Sequence, residues 1–293
     1  MKANVTCISC IIKKQEQRIR PCTDEKKKSD YMHELLFLLY RHGREESAPW
    51  LSMKVEELYQ SYFGGTVDYA ELKHKYNRIM LDREEALEQK IRASEDMLYT
   101  CIKYVCAGNY IDFGALEDVS EDVLAQILSR ADDGAVSEKA YGKLQGELHT
   151  AKRLVYITDN CGEIVLDKLF IRLIRERFPE LDITVLLRGR DVLNDATLSD
   201  AVEVGLDREA RCIGNGSGMP GTVMKELSGE ARDALLGADV VIAKGQGNFE
   251  SLFGSGLNPY YLFLCKCELF VRRFGLPQYA SVFAKEEDIE IRM

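Results

Sequence analysis

The sequence predicts an α/β fold, in which a Rossmann-like parallel sheet with helices on both faces follows an all-helical N-terminal domain. Two observations predict it. The first half of the chain spaces its apolar residues as helices do, and the second half alternates strand-sized apolar runs with helical segments. Repeated β-then-α order implies a parallel sheet with right-handed crossovers. We therefore divide the chain into a helical domain, 1–147, and an α/β domain, 148–293.

Two long segments predict the helical half of the chain. Residues 31–40 are almost entirely apolar, and residues 69–106 repeat apolar side chains at helical spacing among Glu, Lys, Arg and Ala. In the second half, five runs have the length and apolar character of strands: 153–158, 183–187, 211–213, 239–243 and 260–265. Between them we expect helices over 163–177, through 200–201 and from Thr222 onwards.

Composition restricts the classes of function. The 293 residues carry a net charge of −9, which argues against a nucleic-acid or anionic-membrane surface. No apolar run reaches the length of a membrane span, and the N-terminus lacks the apolar stretch of a signal peptide. Nine cysteines, an odd number, fit reduced thiols better than a disulfide framework. We therefore expect a cytoplasmic protein with neither nucleic-acid nor membrane partners.

Polar side chains follow the first two predicted strands. Asp159 and Asn160 come after the first strand, and Asp195 comes after the second. Parallel strands end at one edge of a sheet, where α/β proteins bind their ligands, so these oxygens would converge there as ligands for Mg²⁺ or Mn²⁺. Arg188 would hold a phosphate or sugar oxygen. The alternative is that these residues only cap the following helices.

The segment after the fourth strand fits an anion. Gly245 and Gly247 allow close approach of the backbone, and a following helix would present free N–H groups. Lys244 adds positive charge, while Gln246 and Asn248 add amides. A plain glycine-rich turn is the alternative, but such a turn requires neither a lysine nor two amides. We therefore favour phosphate binding here.

Residues 216–221 match the dinucleotide fingerprint G-x-G-x-x-G, but they follow the third strand instead of the first. This loop leaves an S-adenosylmethionine-dependent methyltransferase or a nucleotide-binding enzyme as the rival interpretation. The single C-x-x-C of Cys7 and Cys10 supplies half of a zinc site, so structural zinc there is the alternative to free thiols.

Four motifs together resemble the DUF89 family, also called damage-control phosphatases. They are Gly-Asn-Tyr-Ile-Asp at 108–112, Asp-Asn-Cys-Gly-Glu at 159–163, Asn-Asp-Ala-Thr at 194–197 and Lys-Gly-Gln-Gly-Asn-Phe-Glu at 244–250. Their order and spacing span nearly the whole chain. The N-terminal C-x-x-C resembles the prokaryotic branch of this family.

The resemblance implies a phosphatase acting on sugar phosphates and related damaged metabolites, aided by Mn, Co, Ni or Mg. It implies a metal held by Asp159, Asn160 and Asp195, with Lys244 and Asn248 on the phosphate side. Of these five residues, all except Asn248 form our predicted catalytic set. Asp159 would be either a metal ligand serving a bound water or the nucleophile that attacks phosphorus.

The remaining candidates would contact the substrate. Glu163 closes the second motif, and the resemblance places Asn109 and Asp112 near the cleft. Gly108 and Asn109 also suit the C-terminal cap of a helix, which is the alternative for that turn. The non-enzymatic rival for the whole chain is a metal- or ligand-binding module without turnover.

Overall fold

The computed structural model describes residues 1–65, 68–111, 126, 128, 129, 131, 134 and 136–291. Eleven α-helices lie among these described residues. They are α1 Val5–Ile19, α2 Glu25–His42, α3 Ala48–Phe63, α4 Ala70–Arg92, α5 Met97–Gly108, α6 Glu138–Leu148, α7 Glu163–Arg177, α8 Leu198–Val204, α9 Gly229–Leu236, α10 Gln246–Leu252 and α11 Glu268–Phe274. Six strands accompany them: β1 Arg153–Ile157, β2 Asp182–Leu187, β3 Arg211–Gly214, β4 Val240–Lys244, β5 Tyr260–Leu264 and β6 Ser281–Lys285.

The early helices begin at side chains that accept hydrogen bonds from the first turn. Asn4, Asp24, Ser47 and Asp96 each accept from the backbone N–H three residues further on. Such a cap satisfies one of the unpaired N–H groups of a helix start and contributes about 1 kcal/mol. Within the described ranges, no helix has both the length and the apolar character needed to cross a bilayer.

The six strands form one sheet in the order β3-β2-β1-β4-β5-β6. Neighbouring strands are parallel except β6, which pairs antiparallel with β5 at the edge. The predicted fold class, a mostly parallel sheet covered by helices, is confirmed. Because β1 lies between β2 and β4, the loops after these three strands emerge side by side at the carboxyl edge of the sheet.

Two cores cover the two faces of this sheet. Alternate residues of β1 point to opposite sides, so Leu154 and Tyr156 join one cluster while Val155 and Ile157 join the other. The first cluster contains α4, α5 and α7, and the second contains α9, α10 and α11. Helices α1–α3 pack mainly in a third cluster. Helices α4 and α5 thus precede the sheet in sequence yet share its core.

The helix expected from Thr222 begins instead at Gly229, so that prediction was wrong. Thr222 uses its N–H to contact the Ser251 hydroxyl (2.8 Å) and its own hydroxyl to contact Asn248 Oδ1 (2.8 Å). Ser228 then caps the helix by accepting from the N–H three residues further on. The intervening loop therefore contributes contacts at the carboxyl edge of the sheet.

Candidate active site at the carboxyl edge of the sheet

The loops after β1 and β2 are joined to each other. Asn160 and Asp195 form an isolated antiparallel bridge, and the Ala196 N–H donates to the Asp159 carbonyl at 2.8 Å. All three predicted oxygen-bearing residues are buried, with exposed fractions of 9% or less. The structure therefore brings Asp159, Asn160 and Asp195 together. None of the three caps a helix through its side chain, since α7 has no side-chain cap and Thr197 caps α8.

Arg188 lies between the two aspartates and is not a surface residue. Its side chain is only 1% exposed, and its Nε donates to Asp195 Oδ2 at 2.6 Å. Its Nη1 donates to the Gly221 carbonyl and to Asn248 Oδ1, both at 3.1 Å. Its Nη2 lies 3.5 Å from Asp159 Oδ1 and makes no hydrogen bond with the described residues. The guanidinium thus neutralises part of the negative charge that the aspartates concentrate.

Lys244, predicted on the phosphate side, is fully buried behind the loop that follows β4. Its ammonium group pairs with Glu163 and with Asp167, the latter at 2.9 Å. Tyr156 donates its hydroxyl to Asp167 at 2.6 Å. Burial alone would lower the pKa of Lys244, but the two carboxylates outweigh it and raise that pKa. In this structure Lys244 therefore acts on the site through Glu163.

Gly245 packs directly against the Asp159 carboxylate. A Cβ atom at Gly245 would lie 2.0 Å from Asp159 Oδ2, and the residue has φ +79°, which side chains rarely adopt. A larger residue would therefore displace the carboxylate. The close neighbour of Gly245 is thus a side chain of the site, and the predicted approach of this backbone to a bound phosphate stays a prediction.

Asn248 and Gln246 hold the loop after β4 in place. Asn248 is fully buried, and its amide nitrogen donates to the carbonyls of Lys244 (2.6 Å) and Thr158 (3.1 Å). Asn248 thus ties the end of β4 to the end of β1. Gln246 donates to Glu250 Oε1 at 2.8 Å and contacts the sulfur of Cys267. Both amides support the loop, and a direct contact with substrate stays a prediction.

Asn109 serves as a helix cap and also as part of the site. It follows α5 as the C-cap residue, and its amide nitrogen donates to Asp159 Oδ2 (2.9 Å) and Glu163 Oε2 (3.0 Å). Its Oδ1 accepts from the N–H of Leu264 at 3.1 Å. The side chain therefore links the helical part of the chain to the ends of β1 and β5. Asp112, the other candidate of that motif, lies outside the described residues.

Two residues of α4 that the sequence did not single out hold the site loops. Asn77 is fully buried; its Oδ1 accepts from the Gly162 N–H at 2.7 Å, and its nitrogen donates to Glu203 at 2.7 Å. Lys73, one turn away, forms an ion pair with Asp200 at 2.8 Å. These contacts cross more than 80 residues of sequence, and no local pattern indicates them.

The pKa of Asp159 is raised to about 8. Burial is the largest cause, followed by the negative charges of Glu163 and Asp195. Lys266, which follows β5, opposes this shift with its positive charge. Lys266 was not predicted as a site residue, although its position after an apolar strand at the same edge of the sheet was the available signal. At neutral pH, an additional positive charge nearby would therefore favour the ionised form of Asp159.

The site carries more buried negative than positive charge. Its four buried carboxylates are Asp159, Glu163, Asp167 and Asp195, and its two buried cations are Arg188 and Lys244. No three His, Cys, Asp or Glu side chains in the described part of the chain are clustered for metal binding. Carboxylate pairs supplemented by an amide oxygen and waters are nevertheless how Mg²⁺ is commonly bound. The residues present therefore fit a hard divalent cation.

The glycine-rich loop after β3 packs against the loops after β2 and β4. A Cβ atom at Gly247 would lie 2.3 Å from the Pro220 carbonyl, and one at Gly189 would lie 2.4 Å from the Gly216 nitrogen. The glycines of the 216–221 fingerprint thus permit contacts between loops. A dinucleotide or S-adenosylmethionine is not needed to explain them.

The C-x-x-C lies in α1, where Cys7 is partly buried and Cys10 is exposed. Burial raises the pKa of the Cys7 thiol, which favours its protonated form. Structural zinc at this pair stays a prediction.

The sequence profile of the damage-control phosphatase ARMT1-like domain matches residues 3–282. The chain belongs to the DUF89 family, whose ARMT1-like domain this is. The predicted family is confirmed, and its prokaryotic C-x-x-C branch stays a prediction. A crystal structure of a DUF89 family protein from Pyrococcus horikoshii superposes with a TM-score of 0.80 at 26% identity, covering 98% of this chain and 99% of that one.

Archaeal relatives match over nearly their whole length. A damage-control phosphatase from Archaeoglobus fulgidus is 30% identical over 289 residues, covering 94% of this chain and 96% of the relative. A damage-control phosphatase from Pyrococcus horikoshii is 28% identical, covering 96% of this chain and 97% of the relative. An uncharacterized protein from Methanocaldococcus jannaschii is also 28% identical, with 97% and 96% covered.

Proposed function

We propose that the protein is a divalent-metal-dependent phosphatase that hydrolyses small phosphorylated metabolites. The observation that carries the proposal is that Asp159 and Asp195 lie on two joined loops at the carboxyl edge of the sheet, on either side of Arg188, inside a buried network with excess negative charge. Membership of a family of damage-control phosphatases supports the reaction class. A cytoplasmic location fits such a substrate and stays a prediction.

Asp159, Asn160 and Asp195 would hold the cation. Asn160 directs its nitrogen to Asp159 Oδ2 (2.8 Å) and Glu163 Oε2 (3.2 Å), so its oxygen is the polar atom left to serve as a ligand. Their oxygens suit Mn²⁺, Co²⁺, Ni²⁺ or Mg²⁺. A bound divalent cation would neutralise phosphoryl oxygens and orient the attacking group. Loading would also release the proton from Asp159, whose pKa lies near 8.

The protein's own cations complete the site. Lys266 lies close enough to Asp159 to lower its pKa, so its ammonium group is positioned to stabilise charge on a phosphoryl group. Arg188 fixes Asp195 through the 2.6 Å contact and limits repulsion between the two aspartates. Lys244 forms an ion pair with Glu163, and Glu163 in turn accepts from the amides of Asn109 and Asn160.

The decisive experiment is a phosphate-release assay on purified protein. The panel comprises Mn²⁺, Co²⁺, Ni²⁺ and Mg²⁺ against sugar phosphates, nucleotides and phosphopantetheine. We expect Asp159→Ala and Asp195→Ala each to abolish metal-dependent turnover while leaving the fold intact. Asp182→Ala is the matched control, because Asp182 is an exposed carboxylate at the opposite end of β2. Turnover that survives both site substitutions would refute the assignment.

Two roles for Asp159 are distinguished by trapping. If its carboxylate attacks phosphorus, a P–O bond to Asp159 forms as the bond to the leaving alkoxide breaks, and water then hydrolyses the aspartyl phosphate. A fluoride mimic of the phosphoryl group bonded to Asp159 in a crystal would support this route. The same mimic bound only through the metal and Lys266 would assign the attack to water.

Ligand binding without turnover is the remaining alternative. It predicts that phosphorylated ligands raise the melting temperature while no divalent metal yields free phosphate. The same panel, run with both readouts, separates a binding module from an enzyme.

A further inference from the structure

Two tyrosines pack against each other beside the site. The ring centroids of Tyr110 and Tyr279 are 4.9 Å apart, with an interplanar angle of 51°. Tyr279 is 36% exposed, and Tyr110 is partly exposed. The Tyr279 backbone has φ +63°, in the left-handed region that is unfavourable for a residue with a side chain. The fold thus keeps an exposed aromatic ring at a strained position.

Both tyrosines are attached to segments that border the cation site. Tyr110 directly follows Asn109, whose amide contacts Asp159 at 2.9 Å. Tyr279 donates its backbone N–H to the Cys265 carbonyl at 2.8 Å, and the neighbouring Gln278 side chain donates to the Lys266 carbonyl at 3.0 Å. Both rings therefore belong to segments that meet at the carboxyl edge of the sheet, one next to Asn109 and the other next to the residue that contacts Lys266.

We infer that Tyr110 and Tyr279 form a platform for the organic part of the substrate, and that they select phosphomonoesters whose organic part is a ring. This inference rests on the proposed function, because the phosphoryl group would lie at Asp159 and the ring would extend toward the tyrosines. The tyrosines touch the leaving group and take no part in bond breaking. They are therefore specificity-determining residues.

The choice of a ring follows from the chemistry of the platform. An aromatic face offers apolar area and an electron-rich surface, which suit the C–H face of a cyclic sugar or the face of a base. An acyclic polyol presents no such face and loses more rotational freedom when it is ordered on one. The carboxylates of the site would bind the phosphate only through cations held between them. These cations contact phosphoryl oxygens and do not distinguish a cyclic organic part from an open-chain one. Discrimination falls to the aromatic pair.

The test compares glucose 6-phosphate with sorbitol 6-phosphate, its open-chain counterpart, and with adenosine monophosphate as the base-bearing probe. We expect Tyr279→Gly to lower kcat/KM for glucose 6-phosphate about tenfold, mainly through KM, and that for sorbitol 6-phosphate less than twofold. Glycine accepts φ +63°, so this variant relieves backbone strain and should remain folded. Tyr279→Phe keeps the ring and should retain the preference.

A second readout separates this inference from the proposed function. Calorimetry in Mn²⁺ measures the affinity of the non-hydrolysable phosphonate analogues of the two hexose-derived phosphates for wild type and Tyr279→Gly, so that no turnover occurs. Absence of phosphate release from every probe would refute the phosphatase proposal. The ratio of the affinities for the cyclic and the open-chain compound would still decide the role of the tyrosines. A ratio that is the same in both proteins, or a lack of ring binding, overturns the platform. If Tyr279→Gly loses affinity for adenosine monophosphate alone, the platform would be assigned to the binding of bases.

Discussion

Replacing Asp159 by Asn should stabilise the metal-free protein, although it removes a residue of the proposed site. The pKa of Asp159 is near 8 in the folded chain, against an ordinary value of 3.8. In the unfolded chain the carboxyl group ionises freely, whereas the folded chain must keep it protonated or accept a buried charge. Folded stability therefore falls as pH rises from 3.8 to 8.

The size of the effect follows from this pKa. Each pH unit above 3.8 costs the folded state about 1.4 kcal/mol, so the penalty at pH 7 reaches about 4 kcal/mol if Asp159 titrates alone. Because part of the shift comes from interactions with Glu163 and Asp195 and not from Asp159 alone, we expect roughly half of that, or about 2 kcal/mol. Asn keeps an oxygen for the amides of Asn109 and Asn160 and carries no charge. For a chain of this size, 2 kcal/mol corresponds to a melting temperature higher by roughly 4 °C.

The assay is thermal unfolding of wild type and Asp159→Asn in EDTA, from pH 5 to pH 9. The advantage of the variant should be small at pH 5, grow up to pH 8 and level off above it. Added Mn²⁺ should then stabilise wild type and leave the variant unchanged. Asp182→Asn provides the control, since this exposed carboxylate lies at the far end of β2. A variant that is less stable than wild type in EDTA, or whose advantage does not depend on pH, would refute the reasoning.

Three further substitutions test the surroundings of the site. Gly245→Ala should lower kcat/KM for phosphate release about 100-fold, because its Cβ would displace the Asp159 carboxylate by more than an ångström; Gly254→Ala, with a similar φ of +83° and no atom nearby, should retain activity. Lys244→Met should lower the free energy of unfolding in urea by about 3–5 kcal/mol, since two carboxylates would remain buried without their cation; unchanged stability would contradict the buried ion pair. Asn77→Ala should weaken Mn²⁺ binding, measured by calorimetry, about 10- to 100-fold, because the loop after β1 loses its anchor; wild-type affinity would exclude that role.

The sequence was sufficient for the layout of the sheet and for the convergence of its loops. Five of the six strands and helix α7 lie where apolar runs and helical spacing predicted them, within a residue at most ends. Convergence then followed from the geometry of parallel strands, without knowledge of any contact. The strand at Ser281–Lys285 was missed, because only three apolar residues lie between its polar ends and antiparallel pairing at an edge imposes no long buried run.

The sequence was insufficient for the direction of each side chain. Lys244 ends a strand beside a glycine-rich loop, a pattern typical of a phosphate ligand, but its orientation depends on Glu163 and Asp167, which lie one turn apart on α7. Asn77 shows the same limit, since its partner Gly162 is 85 residues away. Distances between elements of this kind depend on tertiary packing, which composition and periodicity do not encode.

The amides of Asn77 and Asn109 reach the sheet from α4 and the end of α5. A fragment starting at β1 would keep every carboxylate at the strand ends. It would lose Asn77, which accepts from the Gly162 N–H, and Asn109, which donates to Asp159. Two separately expressed halves should therefore be inert alone and regain metal affinity only when mixed, which makes this chain suitable for complementation in trans.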